Sequence, residues 1–488
     1  MVTAAVLLAT PDALVGVFYD DGIYAALARS LAEGGGYRVP YLPGQPPAVH
    51  YPPGYPAFLA LLWKLWPSFP GNVALLKGAN AVLMGLFTAM AALYLAPRIA
   101  LRPRAIILVL VVAVTSVPML AVATVLFSEP LFLVLAAGAL WAADRARVAD
   151  GRAVLILAAG AGLLAGVATL TRSIGVALIL AIVASLIIAR RHAAAASAAL
   201  PAVALVLPWS VWSARHAGAV DPAMVSNYGT YGQFMAQAGA SWLSPMSVVD
   251  MIRPLAGITV PLAHPAARLL GGVLLVTLIL MGLRALWAGA RALVLFLGAY
   301  VAVVATWPYG PDRFMWGILP WLAIAAVVGL RAATRSTPAI KRAAIASAVV
   351  LLAGFARFQI GGILRGGATA AQRDISATFR EVLPWVIRQT DSSAIIAGED
   401  EALIWLYTGR RAVPSYLWRV EGRGAESFGA DSLRAFLDRN AATHLVLAGP
   451  GTDAAPTVDD LIGRHPRYLR MVHAWPGAMF AFQIQRGG

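Results

Sequence analysis

Cysteine is absent from the 488-residue chain. Its absence excludes disulfides and thiolate metal sites. Charge is scarce too: charged residues make up 12% of the chain, hydrophobic ones 60%, and the mean hydropathy is +0.74. That balance excludes an ordinary soluble protein and predicts a polytopic membrane protein. Met1–Thr10 has no basic residue, so no cleavable signal peptide is predicted. No His or carboxylate cluster has metal-ligand spacing. No inverted repeat of the kind that builds transporters is visible.

What is present is a series of apolar runs. They cover 1–17, 72–96, 105–124, 131–143, 153–170, 174–189, 194–212, 269–286, 292–307, 318–330 and 343–360. A helical span needs about 20 residues, so 1–17 reads as a partial first span and a late start. The formal net charge of +15 would suggest nucleic acid in a soluble protein. Here fourteen basic residues fall in five short loops: Arg98, Arg102, Arg104, Arg145, Arg147, Arg152, Arg190, Arg191, Arg284, Arg291, Arg331, Arg335, Lys341 and Arg342. The positive-inside rule makes those loops cytoplasmic, and no nucleic-acid partner is expected. About eleven spans follow, with the C-terminus outside.

The opposite face collects two polar segments, 18–70 and 215–266. The first contains FYDDGIYAALARSLAEGGGYRVPYLPGQPPAVHYPPGYP, from Phe18 to Pro56. A turn-rich segment cannot lie in hydrocarbon with its backbone unsatisfied, so it reads as the roof of an active site. From about 366 the composition becomes that of a soluble domain. Arg373–Gln389, Asp400–Thr408 and Ser432–Asn440 read as helices. Ala394–Ala397, His444–Gly449, Tyr468–His473 and Met479–Ile484 read as strands. The expected organisation is a membrane domain over 1–365 and a compact α/β domain over 366–488. The latter has no glycine-rich phosphate loop, and no chemistry is assigned to it.

Charged side chains at membrane depth default to functional hypotheses. The outer face has few: Asp20, Asp21, Glu129, Arg172, Asp312 and Arg313. A carboxylate can take a proton from an attacking hydroxyl, and guanidiniums match phosphate geometry. At a membrane surface that combination suggests a lipid phosphate. Structural readings stand beside this one. Asp20 or Asp21 can cap the helix over 22–32, Glu129 can cap the helix after Pro130, and Arg313 can pair with Asp312. Trp63, Trp66, Trp209, Trp212, Trp307 and Trp316 read as an interfacial belt rather than a sugar platform.

Five motifs, in order on the predicted outer face, carry a resemblance. DDGIY (Asp20–Tyr24) resembles the Asp-Glu-x-x-Tyr motif in the first external loop of the GT-C superfamily of membrane glycosyltransferases. That superfamily includes protein O-mannosyltransferases and lipid A aminoarabinose transferases. HYPPGYP (His50–Pro56), SEPLF (Ser128–Phe132), LTRSIGVAL (Leu170–Leu178) and PDRFMWGILPWL (Pro311–Leu322) are similar to later family segments. The resemblance implies a GT-C-like helical membrane protein with an extracytoplasmic C-terminal α/β domain, in a bacterial inner membrane. It implies transfer of sugar from a polyprenyl-phosphate donor to a hydroxyl acceptor, by one inverting displacement at the anomeric carbon. Asp20 would be the base, Asp21 stands where the family has Glu, and Glu129 would be a second acidic residue of the site. Arg172 and Arg313 would hold the donor phosphate. Tyr24, His50 and Tyr51 belong to the substrate loop. Asp21, Tyr51-Pro52-Pro53 and Ser173 depart from the family pattern, which bears on the acceptor more than on the reaction. Some relatives use a divalent metal; this sequence has no clear site for one, and no certain cofactor is assigned. A transporter of lipid-linked saccharides and a non-catalytic envelope assembly protein are the competing classes.

Overall fold

The computed structural model describes residues 1–488 apart from 239–245, 261–263, 308–309, 422–423, 449–451, 478 and 487–488. The chain forms two compact units that do not follow chain order. The first holds Met1–Thr10, Lys77–Trp209 and Trp242–Ala370; the second holds Pro11–Leu76, Ser210–Ser241 and Ala371–Gly488. The division is therefore not a single cut at 365/366. The long polar loop belongs to the same unit as the C-terminal region.

The first unit is helical. Among the described residues five helices are long and apolar enough to cross a membrane: Val73–Leu95, Arg152–Thr171, His192–Arg215, Pro265–Leu286 and Pro338–Leu364. Helices satisfy every internal backbone group, which is why apolar runs of this length adopt them in lipid. Pro103–Val114 and Val117–Ala123 make a sixth span if counted as one, bent by 68°. The bend frees the Val117 N–H, which donates to Gln359 Oε1 at 2.8 Å. Ser173–Ile188, Arg291–Ala305 and Leu319–Ala333 are apolar but shorter. Gly282 and Gly329 let two helices touch backbone to backbone: a Cβ at either would lie 1.8 Å from the facing carbonyl of Ala325 or Leu278.

Three expectations shift here. The run 1–17 is not one partial span, because its helix covers only Val2–Ala9 before Pro11. The helix expected to end near Ala143 continues as Glu129–Val148. Its Asp144 is buried but accepts from Tyr94 Oη at 2.6 Å and lies 3.5 Å from Arg147, so the charged turn need not leave the bundle. Within the polar stretch 215–266, Met246–Thr259 is a helix whose Met251, Leu255 and Ile258 join the first unit's core. The parts of that stretch at 239–245 and 261–263 lie outside the described residues.

The second unit is built on a five-stranded sheet of order β2-β1-β5-β7-β6. The strands are β1 (Ile395–Gly398), β2 (Arg411–Pro414), β5 (His444–Leu447), β6 (Leu469–Trp475) and β7 (Met479–Ile484), while β3 (Trp418–Glu421) and β4 (Gly424–Ser427) pair separately. β1 runs parallel to β2 and β5; β7 is antiparallel to β5 and β6. Helix Ala370–Gln389 packs Phe379, Val382 and Val386 onto the sheet. The segment before the loop is stitched onto this core. Val17 is buried in it, the Leu14 N–H donates to Ser376 Oγ at 2.9 Å, and the Val15 N–H donates to Tyr407 Oη at 3.0 Å. The loop joins as well, through the Ala412 N–H and the Tyr41 carbonyl at 3.0 Å.

Candidate active site

In the first unit, three helix ends bring charges together. Glu129 opens helix Glu129–Val148, with Pro130 in its first turn, a position where proline loses no hydrogen bond. Arg172 follows helix Arg152–Thr171 in extended backbone. Arg313 lies in the short helix Asp312–Gly317. Glu129 is 2% exposed, and its Oε1 lies 2.6 Å from Arg172 Nη1 and 2.5 Å from Arg313 Nε. Its Oε2 accepts from Arg313 Nη2 at 3.1 Å. Arg172 Nη1 also donates to Ser128 Oγ at 3.2 Å. The Arg313 guanidinium carbon stands 3.5 Å from the Phe127 ring centroid, and that of Arg172 5.7 Å from Phe314. One buried carboxylate thus faces two guanidiniums. Arg313 pairs with Glu129, 184 positions away, rather than with its neighbour Asp312, which is exposed.

In the second unit, helix Asp20–Ala32 begins at Tyr19, whose φ of 60° and ψ of −71° are strained for a bulky residue. Asp21 is 1% exposed and its two oxygens accept from the Gly16 and Phe18 N–H groups at 2.7 and 2.9 Å. It ties down the turn that precedes the helix. Asp20 Oδ1 accepts from Tyr51 Oη at 2.6 Å. The Tyr24 ring meets Tyr51 and Tyr55 edge-on at 5.1 and 5.0 Å. His50 donates from Nδ1 to the Gly229 carbonyl at 2.7 Å and lies 4.8 Å from the rings of Tyr51 and Tyr231. Burial pushes the His50 pKa down, so the imidazole is neutral at pH 7, and burial pushes the Tyr51 phenol well up. Asp20, Tyr24, His50 and Tyr51 therefore share one aromatic-walled cluster, with Asp21 holding the adjoining backbone.

Glu401, in the same unit, escaped the sequence reading. It opens helix Glu401–Thr408 and is fully buried. Tyr228 Oη and Tyr19 Oη both donate to its Oε1, the latter at 3.2 Å. Asn227 Nδ2 donates to Tyr19 Oη at 2.9 Å, and Tyr41 Oη to Tyr228 Oη at 3.2 Å. Glu401 Oε2 has no hydrogen-bond partner among the described residues. Burial raises the Glu401 pKa to about 7, against the hydrogen bonds from Tyr228 and Tyr19. In sequence, Glu399-Asp400-Glu401 before an apolar helix looks like a solvated helix start. Only the partners from 382 and 173 positions away mark it as buried.

Among the described residues no three His, Asp or Glu side chains converge in a geometry that could hold a metal ion. No protein-family model matches the chain, and no curated protein does. Solved structures do. ArnT from Cupriavidus metallidurans bound to undecaprenyl phosphate aligns with a TM-score of 0.55 at 14% identity, over 99% of this chain and 96% of that one. Its apo state aligns with a TM-score of 0.57 at 14% identity, over 98% and 96%. The archaeal oligosaccharyltransferase AglB from Archaeoglobus fulgidus, in complex with an inhibitory peptide and a dolichol-phosphate, aligns with a TM-score of 0.54 at 12% identity, over 99% of this chain and 74% of that one. The chain has the GT-C fold. At such low identity the likeness is one of fold alone.

Proposed function

We propose that this GT-C chain is a membrane glycosyltransferase that moves a sugar from a polyprenyl-phosphate donor to a hydroxyl acceptor at the outer membrane face. The observation that carries the reading is the cluster of Glu129, Arg172 and Arg313, two fixed guanidiniums against one carboxylate. A pair of guanidinium forks matches a phosphate in shape and charge. The GT-C neighbours solved with undecaprenyl phosphate and dolichol-phosphate support the lipid carrier.

In this reading Arg172 and Arg313 hold the donor phosphate, and Glu129 is the counter-ion that fixes their orientation. Asp20 accepts the proton of the acceptor hydroxyl as its oxygen attacks the anomeric carbon from the face opposite the phosphate. The carbon–oxygen bond to the phosphate breaks, and polyprenyl phosphate leaves with the electron pair. The new glycosidic bond has inverted configuration. Tyr51 orients Asp20, and Asp21 anchors the turn that carries it. About eleven spans, an extracytoplasmic C-terminal region and a bacterial plasma membrane complete the proposal.

The test is transfer from radiolabelled polyprenyl-phosphate sugars in proteoliposomes, with donor affinity measured for wild type and Arg172→Ala. Expected are labelled product with inverted anomeric configuration and at least a tenfold loss of donor affinity in the variant, the least that one lost charge-assisted contact implies. Donor movement across the bilayer without bond cleavage would instead identify a transporter and overturn the reading.

A further inference from the structure

The turn that delivers Asp20 is strained, and part of its support comes from distant stretches of the second unit. Tyr19 has φ 60° and ψ −71°, and the Phe18 carbonyl accepts from the Asp20 N–H at 2.6 Å. Together these make a γ-turn of the positive-φ kind, which is rare and strained, with a bulky side chain at its centre. The Tyr19 carbonyl accepts from the Ile23 N–H at 3.1 Å, in the first turn of helix Asp20–Ala32. Tyr19 is therefore the joint between turn and helix, and Asp20 is the first residue beyond it.

A conformation of this kind persists only where its surroundings over-determine it, and such positions gather at functional sites. Asp21 supplies part of the hold through the Gly16 and Phe18 N–H groups. Those contacts grip the backbone ahead of the joint. Tyr19 itself is gripped by its phenol. Its Oη accepts from Asn227 Nδ2 at 2.9 Å and donates to Glu401 Oε1 at 3.2 Å. The same Oε1 accepts from Tyr228 Oη, which in turn accepts from Tyr41 Oη at 3.2 Å. Helices Val225–Tyr228 and Glu401–Thr408 thus converge on one side chain.

Packing leaves this turn little slack. A Cβ at Gly16 would lie 2.6 Å from Leu403 Cβ, so only glycine fits between the turn and helix Glu401–Thr408. Asn227 and Glu401 are buried, at 9% and 0% exposure. Burying a carboxyl is unfavourable unless its hydrogen bonds are needed. What this one adds is an acceptor at a fixed point, and two phenols are aimed at it.

We propose that Tyr19, Asn227 and Glu401 are positioning residues for Asp20: the two phenol hydrogen bonds of Tyr19 lock the γ-turn and so set where the Asp20 carboxylate stands. The proposal rests on the reading of Asp20 as the base. In that reading Arg172 and Arg313 hold the donor phosphate, so the three residues act on the chemical step and leave donor binding alone.

The experiment compares full-length wild type with Tyr19→Phe in proteoliposomes, measuring kcat, donor affinity and hydrogen exchange in the peptide that spans residues 16–23. Tyr19→Phe keeps the ring and deletes both phenol bonds. Expected are a kcat about tenfold lower, roughly the net worth of two neutral hydrogen bonds, an unchanged donor affinity, and exchange about tenfold faster in that peptide alone. Glu401→Leu shows the same split, and Glu401→Gln, which keeps an acceptor oxygen, restores kcat. The double variant Tyr19→Phe/Glu401→Leu loses no more than the worse single variant, because both break one contact. Unchanged exchange overturns the proposal whether or not sugar is transferred. Faster exchange with an unchanged kcat overturns it too, as does a loss of donor affinity in place of kcat. No product from wild type, with exchange still responding to Tyr19→Phe, sinks the transfer reading itself, and the positioning role falls with it. If Tyr19→Phe does not fold, Asn227→Ala removes one of the two bonds and shows the same split at about threefold; no change there overturns the proposal as well.

Discussion

Replacing Glu401 with Gln isolates the effect of one buried carboxyl group. Its folded-state pKa of about 7 stands against 4.5 for the free side chain. Between those values the native chain holds a proton that the unfolded chain has lost, so stability falls as pH rises through the window. The contribution is complete below pH 4.5 and gone above about 7. A shift of about 2.5 units amounts to about 3 kcal/mol at 1.36 kcal/mol per unit. Gln cannot ionise, and its oxygen can still accept from Tyr19 and Tyr228. Glu401→Gln should therefore match wild type near pH 4 and exceed it by about 3 kcal/mol at pH 8. For a unit of this size that is roughly 6–12 °C in apparent Tm, read by tryptophan fluorescence at a fixed scan rate. Infrared spectroscopy supplies a direct check, because the carboxylic-acid band lost in the variant should titrate near pH 7 in wild type. A gap in Tm that does not change between pH 5 and 8 would refute the reasoning. Because Tyr19 bonds Glu401 and precedes Asp20, the same titration should reach the proposed base.

Glu129→Ala should destabilise the chain by roughly 3–5 kcal/mol, because it leaves two guanidiniums without their shared carboxylate. Arg172→Ala should cost distinctly less, since Glu129 keeps Arg313; equal losses of apparent Tm would contradict that. Tyr51→Phe removes the hydroxyl from Asp20 but keeps the ring against Tyr24. Its kcat should fall about tenfold, in line with a charge-assisted hydrogen bond of roughly 1.5 kcal/mol, while donor affinity stays level; the reverse split would count against Tyr51 as a positioning residue.

Much of the architecture was legible because it rests on local pattern. Apolar runs of about 20 residues, basic loops alternating with polar ones, and the strands at 395–398, 444–447 and 479–484 all signal themselves in a short window. Candidate residues on separate runs, Glu129, Arg172 and Arg313, also came together. What stayed hidden depends on distant partners. The pairing of Arg313 with Glu129 rather than Asp312, the burial of Glu401 and the tolerance of Asp144 inside a helix are each decided by side chains far along the chain. β2 is four residues long and gains its strand character only from pairing with β1. The helix Ala455–Arg464 carries Pro456 in its first turn and lies in a polar stretch, and its apolar face of Val458 and Leu461 is short. Only the family resemblance gave Asp20 and Asp21 different roles; in the structure a tyrosine hydroxyl donates to Asp20 and two backbone N–H groups donate to Asp21.

The central claim is that a carboxylate in the external loop drives sugar transfer, and Asp20→Asn tests it most directly. The change preserves size and hydrogen bonding and removes the base. In proteoliposomes loaded with labelled polyprenyl-phosphate sugar and acceptor, wild type should form product. The variant should lose at least a hundredfold in kcat, the usual worth of a general base, while binding donor normally. Equal turnover by the two proteins would contradict the account.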